Sequence, residues 1–414
     1  MAETHIAIPE RQRATLGIYF HIPFCPHLCP YCDFIKTDKF SRKQAIWYFD
    51  WLLQELKRQL DNPHIHAHKV VTVFFGGGTP GIFWGSAFAP LLKEISSRFE
   101  IEECTIECNP GLVSRAKIES WNDVGIDRLT LGAQSLDSAI LKFLGRRHSE
   151  QDVARATAWG LASGMTNIQA DIIYGLPVTF KGRNLRDELD RLASMGVSGF
   201  SAYCLTVEDR TAFSVSSIRA DDDLAADEYA EIRECAARYG FVRRETSNFS
   251  KFECKHNNVY WYGMPYIGIG VGAHGFLDSG LSPESEFGER YRYGLMSNSS
   301  ERKQAVVGRD EMDLLNTQSP WLEMNREGPR SWREMFNELT FSLLRTPGGI
   351  PGQWLASQGE AYTAKVLMQN PSFSAAARSG KIEITEDGSI RLAHDEYLMG
   401  DYWHRVFVSA SGTL

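Results

Sequence analysis

The sequence lacks the long apolar runs that membrane-embedded or secreted proteins need. No stretch of eighteen apolar residues occurs, and the N-terminal segment MAETHIAIPERQRATLG has no apolar core of signal-peptide length. An excess of positive charge is also missing, because 44 Lys and Arg oppose 52 Asp and Glu. The net charge of -8 argues against nucleic acid or an anionic membrane as the main partner. We therefore expect a cytoplasmic protein without an integral membrane span.

Cysteine is scarce, with eight residues in 414, and three of them fall in one short segment. FHIPFCPHLCPYCDFIK, residues 20–36, holds Cys25, Cys29 and Cys32 in the spacing CxxxCxxC. A disulfide framework is not expected in a reducing cytoplasm, so clustered cysteines indicate metal binding or redox chemistry. A loop with this spacing can turn three thiolates toward one point, and thiolates favour iron-sulfur clusters, zinc or copper(I).

Two kinds of metal site fit these three cysteines. A structural zinc ion needs a fourth ligand, which His21, His27 or the distant Cys254 could supply. A [4Fe-4S] cluster held by three cysteines instead leaves one iron open to a small molecule. The spacing alone does not decide between them.

Short runs of β-branched or aromatic residues alternate with segments of helical periodicity in the first half of the chain. The predicted strands are IYFHI (18–22), VVTVFF (70–75), CTIEC (104–108), RLTLG (128–132), IQADII (168–173) and FSAYCL (200–205). After the first strand, residues 44–60 predict an amphipathic helix. Its predicted apolar stripe is Ile46, Phe49, Leu53, Leu56 and Leu60.

A capping-box-like pair, Ser149 and Asp152, predicts the start of another of these helices. Strands and helices that alternate with such short links require parallel strands and right-handed crossovers. We therefore predict an α/β fold, an incomplete TIM-like (β/α)6 barrel, with function at the carboxyl ends of the strands. An open doubly wound sheet is the alternative.

Beyond residue 210 this alternation weakens, which suggests three parts: a partial barrel over residues 1–210, an extension over 211–305, and a C-terminal domain over 306–414. The extension includes the glycine-rich run YIGIGVGAHG. The C-terminal part combines a helix, SWREMFNELTFSLLR, a hairpin, KIEITEDGSIRL, and a closing helix, DEYLMGDYWHRVFV. We expect a small α+β domain of winged-helix-like character there.

The segment FFGGGTP, residues 74–80, directly follows the second predicted strand. Consecutive glycines permit positive φ and allow backbone N–H groups to approach a ligand closely. A tight turn is the simpler interpretation when the motif is taken alone. On the rim that also carries the cysteines, it predicts a polar cradle beside a metal site.

Together these motifs resemble the radical S-adenosylmethionine (radical SAM) superfamily, which combines CxxxCxxC after the first strand, an aromatic before the last cysteine, and GGGTP after the second strand. Between residues 16 and 276 the sequence further resembles the oxygen-independent coproporphyrinogen oxidase group. Seven ordered motifs support this likeness: YFHIPFCPHLCPYCDF, IECNPG, GIDRLTLGAQSLD, LGRRHS, DIIYGLP, HNNVYW and YIGIGVGAHG.

The resemblance implies that Cys25, Cys29 and Cys32 hold a [4Fe-4S] cluster whose remaining iron binds S-adenosylmethionine (SAM). It implies an external low-potential electron donor of flavodoxin or ferredoxin type, and a 5'-deoxyadenosyl radical as the product of SAM cleavage. A buried carboxylate satisfied by backbone donors is the alternative for the two acidic positions in the implied site. The implied cofactor-binding residues are Tyr19, Tyr31, Gly77, Gly78, Thr79, Glu107, Gln134, Arg146 and Asp171.

Within the group, two departures count against porphyrinogen decarboxylation. Coproporphyrinogen oxidases have a fourth cysteine where this chain has Phe34, and a longer segment before the first strand. The CDF ending and CKHNNVYW instead resemble the HemW-type heme chaperones, in which an HNxxYW motif is associated with heme. The likeness implies heme as cargo for an unidentified acceptor, with His256 as its candidate ligand and Cys254 and His274 as rivals; a hydrogen-bonded anchor is the alternative for His256.

Whether the protein is an enzyme stays open at this point. The alternative function is a radical SAM enzyme that acts on a tetrapyrrole, as an oxidoreductase, or a class C radical SAM C-methyltransferase. Either would use the same cysteines and the same cofactor.

Overall fold

The computed structural model describes residues 15–63, 65, 68–209, 211–277, 289–296, 321–393 and 396–413. In these ranges, twelve strands form one sheet and two more form a hairpin. The strands are β1 (Thr15–Ile22), β2 (Val70–Gly77), β3 (Glu100–Cys108), β4 (Arg128–Gln134), β5 (Asn167–Tyr174), β6 (Gly199–Cys204), β7 (Val242–Arg243), β8 (Asn248–Ser250), β9 (Tyr266–Ile269), β10 (His274–Leu277), β11 (Glu289–Met296), β12 (Trp321–Pro329), β13 (Ile382–Ile384) and β14 (Ile390–Leu392).

Helices follow most of the parallel strands and form the outer layer. The α-helices are α1 (Arg42–Leu60), α2 (Gly85–Ser96), α3 (Arg115–Asn122), α4 (Ser138–Phe143), α5 (Glu150–Ala162), α6 (Leu185–Ser194), α7 (Ala212–Val215), α8 (Asp222–Arg238), α9 (Lys255–Trp261), α10 (Trp332–Leu343), α11 (Gly352–Gln358), α12 (Ala364–Leu367), α13 (Pro371–Arg378) and α14 (Gly400–Ser411). Over the described residues, none of these helices is long and apolar enough to cross a membrane.

The six predicted strands pair in parallel and in chain order, from β1 to β6. Strand β9 adds a further parallel strand beside β1, and antiparallel strands extend the sheet at both ends. The order runs from β12 to β7 without closure between those two strands. The predicted incomplete (β/α)6 barrel is therefore confirmed. All six carboxyl ends point to one rim, because parallel strands joined by crossovers share their direction.

The buried face of the first helix differs from the apolar stripe that its sequence predicts. Helix α1 begins at a capping box in which Ser41 accepts from Gln44 N and Gln44 bonds back to the backbone of Ser41. Its fully buried side chains include Tyr48 and Leu52, whereas Ile46 is 52% exposed. The predicted stripe was wrong at Ile46. The helix carries apolar side chains around much of its circumference, and packing against the sheet decides which of them are buried.

The C-terminal part contains helices α10 to α14 and the β13–β14 hairpin. The rings of Trp332 and Trp354 both stack on Phe336, with centroids 4.9 and 5.3 Å away. The turn of the hairpin has Gly388 at φ +79°, as the Asp387-Gly388 pair predicts. The proposed boundary between residues 305 and 306 lies outside the described residues, so the three-part division stays a prediction.

Candidate functional site

A cavity of about 580 Å³ opens on the rim formed by the carboxyl ends of the parallel strands. Residues that are far apart in sequence line it, because strands β2 to β6 and the loop after β1 all bring residues to the same rim. Eleven predicted site residues share this lining: Cys25, Cys29, Tyr31, Cys32, Gly77, Gly78, Thr79, Glu107, Gln134, Arg146 and Asp171. Tyr19 and His256 are not among the residues that line the cavity.

The cysteine loop leaves β1 and is closed on itself by backbone hydrogen bonds. Cys25 N donates to Thr37 O and Thr37 N donates to Pro23 O, each at 2.8 Å. Within the loop, Cys32 N donates to Cys29 O at 3.3 Å. These bonds give the loop a fixed base from which its thiols face the cavity.

Tyr19 is connected to this loop through His21. Its hydroxyl lies 3.2 Å from His21 Nδ1, and His21 Nε2 lies 2.7 Å from Ile35 O, near the end of the loop. Lys36 holds the same region by donating to Cys32 O at 2.5 Å. Sequence reasoning placed Tyr19 next to the cofactor and overlooked Lys36. The structure gives both residues contacts that position the loop.

Two hydrogen-bond donors face the thiol sulfurs. Thr79 Oγ1 donates to Cys25 Sγ and Arg146 Nη1 donates to Cys29 Sγ, both at 3.5 Å. Burial raises the pKa of the Cys25 thiol to about 11, although the hydroxyl of Thr79 opposes this effect. A metal centre would therefore have to displace a proton from Cys25. Thiols with donors aimed at sulfur suit iron-sulfur ligation, in which such bonds tune the cluster.

Two of the three alternative zinc ligands do not line the cavity with the cysteines. His21 has both ring nitrogens engaged, and Cys254 lies elsewhere, with Sγ 3.6 Å from Glu103 Oε1. His27 does line the cavity, with Nε2 buried and unpaired among the described residues. In the same described ranges, no three His, Cys, Asp or Glu side chains are grouped to hold a single metal ion, and this holds for the three cysteines as well.

The glycine segment approaches the cysteine loop as closely as its sequence suggests, but its N–H groups are already used. Gly77 N donates to Glu107 Oε2, Gly78 N to Ile22 O, and Thr79 N to Phe24 O, at 3.2, 2.8 and 2.9 Å. The polar cradle stays a prediction, because the three residues line the cavity while their N–H groups are paired within the protein. The glycines are required for another reason: a Cβ at position 78 would lie 2.8 Å from Ile22 O.

Two carboxyl groups face the cavity with raised pKa values. Burial and the Asp171 carboxylate raise the pKa of Glu107 to about 8. Burial raises the pKa of Asp171 to about 7, against the opposing effect of Arg128. Asp171 Oδ1 is buried without a hydrogen-bond partner in the described structure. Glu107 thus has one backbone donor, Gly77 N, but Asp171 Oδ1 has none, and a polar or cationic ligand would supply the missing partner.

Arg146 connects three parts of the rim. In addition to the Cys29 sulfur, it donates to Asn109 Oδ1 at 2.5 Å and to Gly132 O at 2.7 Å. Its Nε is buried without a partner among the residues described. A guanidinium held in this way presents a fixed positive charge beside the thiols, which suits an anionic cluster or a carboxylate ligand.

Arg128 is a site residue that sequence reasoning missed. It starts β4, is 4% exposed, and donates to Thr105 and Thr130 at 3.4 and 3.3 Å. Its charge lowers the pKa values of Glu107 and Asp171, although burial raises both more strongly. Its place inside the barrel follows from the strand register, which no local pattern reveals.

His256 of α9 packs against Thr72 and Phe74 of β2 and is fully buried. Its Nδ1 is 2.9 Å from Thr72 Oγ1, its Nε2 is 2.7 Å from the Tyr260 hydroxyl, and its ring stacks on Phe74. Burial lowers the pKa of His256 to about 3. Both nitrogens are therefore engaged, as the hydrogen-bonded anchor alternative requires, and ligation of heme iron would first have to break one of these bonds.

Glu103 anchors the start of α9, the helix that contains His256. Its two carboxylate oxygens accept from Lys255 N and His256 N, both at 3.1 Å, while Cys254 Sγ lies 3.6 Å away. Of the three heme-ligand candidates, His274 alone has an exposed side chain.

Comparisons with known proteins agree on one group. Residues 19–193 match the model of the radical SAM superfamily. The heme chaperone HemW of Haemophilus influenzae is 35% identical over 270 residues, which is 63% of this chain and 70% of that protein. HemW of Escherichia coli is 35% identical over 268 residues, with the same two shares. The solved structure of coproporphyrinogen III oxidase (HemN) from Escherichia coli superposes with a TM-score of 0.71 and 18% identity, covering 95% of this chain and 89% of that one.

Proposed function

The chain belongs to the radical SAM superfamily and, within it, to the family of the HemW heme chaperones, and we propose on this basis that it binds heme and transfers it to an acceptor protein. The observation that carries the proposal is the identity of about a third with HemW proteins over some seven tenths of their length. The HemN likeness supports the fold alone, because the identity is 18%.

The cofactors of this superfamily are a [4Fe-4S] cluster and SAM, which supply one-electron chemistry when bound. We propose that Cys25, Cys29 and Cys32 hold the cluster. Arg146 and Thr79 donate to two of these sulfurs, and this supports the assignment because such donors stabilise negative charge on thiolates.

SAM is proposed to bind along the same cavity, against the carboxyl ends of β2 to β5. Glu107 and Asp171 offer acceptors to its amino, sulfonium or ribose groups, and Gln134 and Tyr31 complete the lining. The Asp171 oxygen that lacks a partner is the strongest support for a polar ligand here. A low-potential donor of flavodoxin or ferredoxin type is proposed to reduce the cluster.

Heme is proposed to bind outside the barrel wall. His256 is enclosed in its hydrogen bonds, whereas His274 begins β10 with an exposed side chain. The two candidate ligands thus lead to different expectations. Ligation of heme iron by His256 requires the barrel wall to open, whereas ligation by His274 does not.

Heme titration of anaerobically reconstituted protein tests the function. We expect a saturable shift of the Soret band and transfer of the heme to apomyoglobin as a surrogate acceptor. Loss of the shift in His274→Ala but not in His256→Ala would assign the exposed ligand, and the reverse would assign the buried one. Absence of saturable binding, together with SAM-dependent decarboxylation of coproporphyrinogen or methylation of a substrate, would replace the chaperone by an enzyme.

The metal content is tested separately with a matched pair of cysteine variants. Cys29→Ala should lower iron and sulfide per chain and remove the absorption near 400 nm, because one of the three proposed thiolate ligands is lost. Cys204→Ala is the control, since Cys204 lines the same cavity without belonging to the cysteine loop. Stoichiometric zinc in the wild type, or equal iron loss in both variants, would contradict the cluster assignment.

A further inference from the structure

A strained turn ends β4 at the cavity. Gln134 has φ +63°, in the left-handed region that non-glycine residues seldom occupy. Ser135 N donates to Ala133 O at 2.7 Å, and this bond closes a γ-turn centred on Gln134. The β4–β5 register also shifts between Leu131 and Gln134. Such a conformation persists only where its surroundings impose it.

The turn is held from outside the barrel by Glu188 of α6. Glu188 Oε2 accepts from Ser135 Oγ and from Leu136 N, both at 2.7 Å. Glu188 and Ser135 are both buried, so water does not compete for these bonds. Glu188 therefore holds the two residues that directly follow the strained position.

Arg183 fixes Glu188 and extends the connection to β5. Its Nε donates to Glu188 Oε1 at 2.7 Å and its Nη2 to Oε2 at 3.1 Å, a two-pronged ion pair whose side chains are 1% and 3% exposed. Its Nη1 donates to Ile173 O at 2.6 Å. Burial opposes ionisation of Glu188, but Arg183, Ser135 and the Leu136 N–H together lower its pKa. The carboxylate is thus kept as an acceptor.

We propose that Glu188 and Arg183 are positioning residues for SAM, which fix Gln134 and the neighbouring end of β5 in the geometry that binds it. Neither side chain lines the cavity; they act through Gln134 and Ile173, which both do. A buried ion pair is by itself weak support for stability, so its bonds to a strained turn at the site indicate a different role. The inference rests on the proposed SAM site.

The test is a double-mutant cycle on SAM affinity, measured with anaerobically reconstituted protein of checked iron content. Glu188→Gln should weaken SAM binding about 10- to 100-fold. This is the range seen when a residue that orients a metal ligand by hydrogen bonding is replaced. Gln134→Ala should weaken SAM binding as well. Because Glu188 acts through Gln134, the double variant should bind no more weakly than the poorer single variant.

Leu189→Ala is the matched control for destabilisation. Leu189 is fully buried and adjacent to Glu188 on α6, and it has no bond to the turn. It should lower the melting temperature while leaving SAM affinity unchanged. Ser135→Ala removes one of the two bonds to Glu188 and keeps the ion pair, so it should give an intermediate loss even if Glu188→Gln folds poorly.

Three results would overturn the inference. They are an unchanged SAM affinity in Glu188→Gln, additive effects of Glu188→Gln and Gln134→Ala, or an equal affinity loss in Leu189→Ala. Hydrogen exchange gives a readout without ligand: the Leu136 amide should exchange faster in Glu188→Gln and not in Leu189→Ala. Absence of SAM binding in the wild type would instead refute the proposed site itself, which separates the two failures.

Discussion

The protonation of His256 makes a quantitative prediction about acid stability. The pKa of His256 is about 3 in the folded protein, whereas an unfolded histidine has a pKa near 6.5. Between pH 6.5 and pH 3, the unfolded chain therefore binds a proton at this histidine and the folded chain does not. Stability associated with this group is complete above pH 6.5 and is lost as the pH falls toward 3.

The magnitude follows from the interval between the two pKa values. A pH of 5 is about 1.5 units below the pKa of the unfolded histidine, and each unit corresponds to about 1.4 kcal/mol. The free energy of unfolding is therefore about 2 kcal/mol lower at pH 5 than at pH 8. This figure is insensitive to the folded pKa, provided that it stays well below 5. His256→Gln cannot titrate and should lack this contribution.

Urea unfolding of the reconstituted protein at pH 8, 6 and 5 provides the assay. The stability advantage of wild type over His256→Gln should shrink by about 2 kcal/mol between pH 8 and pH 5. Thr72→Val is the control, because it removes a hydrogen-bond partner and keeps the histidine, so its pH dependence should match that of wild type. Parallel pH profiles for wild type and His256→Gln would refute the buried, neutral state of His256.

Three further predictions concern the cavity. Burial and Asp171 raise the pKa of Glu107 to about 8, so binding of the cationic cofactor should release a proton from Glu107. The affinity for SAM, measured by isothermal titration, should therefore rise from pH 6 to pH 8. Glu107→Gln should show a shallower rise in affinity than the wild type. Gly78→Ala places a Cβ 2.8 Å from backbone atoms and should cost about 1–3 kcal/mol in urea unfolding, whereas Gly182→Ala meets nothing within 4 Å and should stay within about 0.5 kcal/mol. Arg146→Lys keeps the positive charge but loses the guanidinium group that donates to three partners. Iron per chain, measured by colorimetric assay, should therefore fall below that of the wild type. An equal iron content would show that the charge alone suffices.

The sequence by itself determined the features that depend on near neighbours along the chain. CxxxCxxC places three thiols on one loop, and alternating strands and helices with short links require a parallel sheet whose carboxyl ends share a rim. The Ser149–Asp152 capping box begins α5 as predicted, because both partners lie within one helical turn. These features bring Cys29, Glu107 and Asp171 to one cavity without any knowledge of packing.

Tertiary structure alone decided which polar groups remain available at the site. Glu107, Ile22 and Phe24 already accept the N–H groups of the glycine segment, and Thr72 of β2 occupies Nδ1 of His256. Glu188, 54 residues after Gln134 in the sequence, holds the turn next to it. A residue's type and spacing set what it can bond, but its actual partner comes from strands and helices far along the chain. Burial then decides whether the bond resists water.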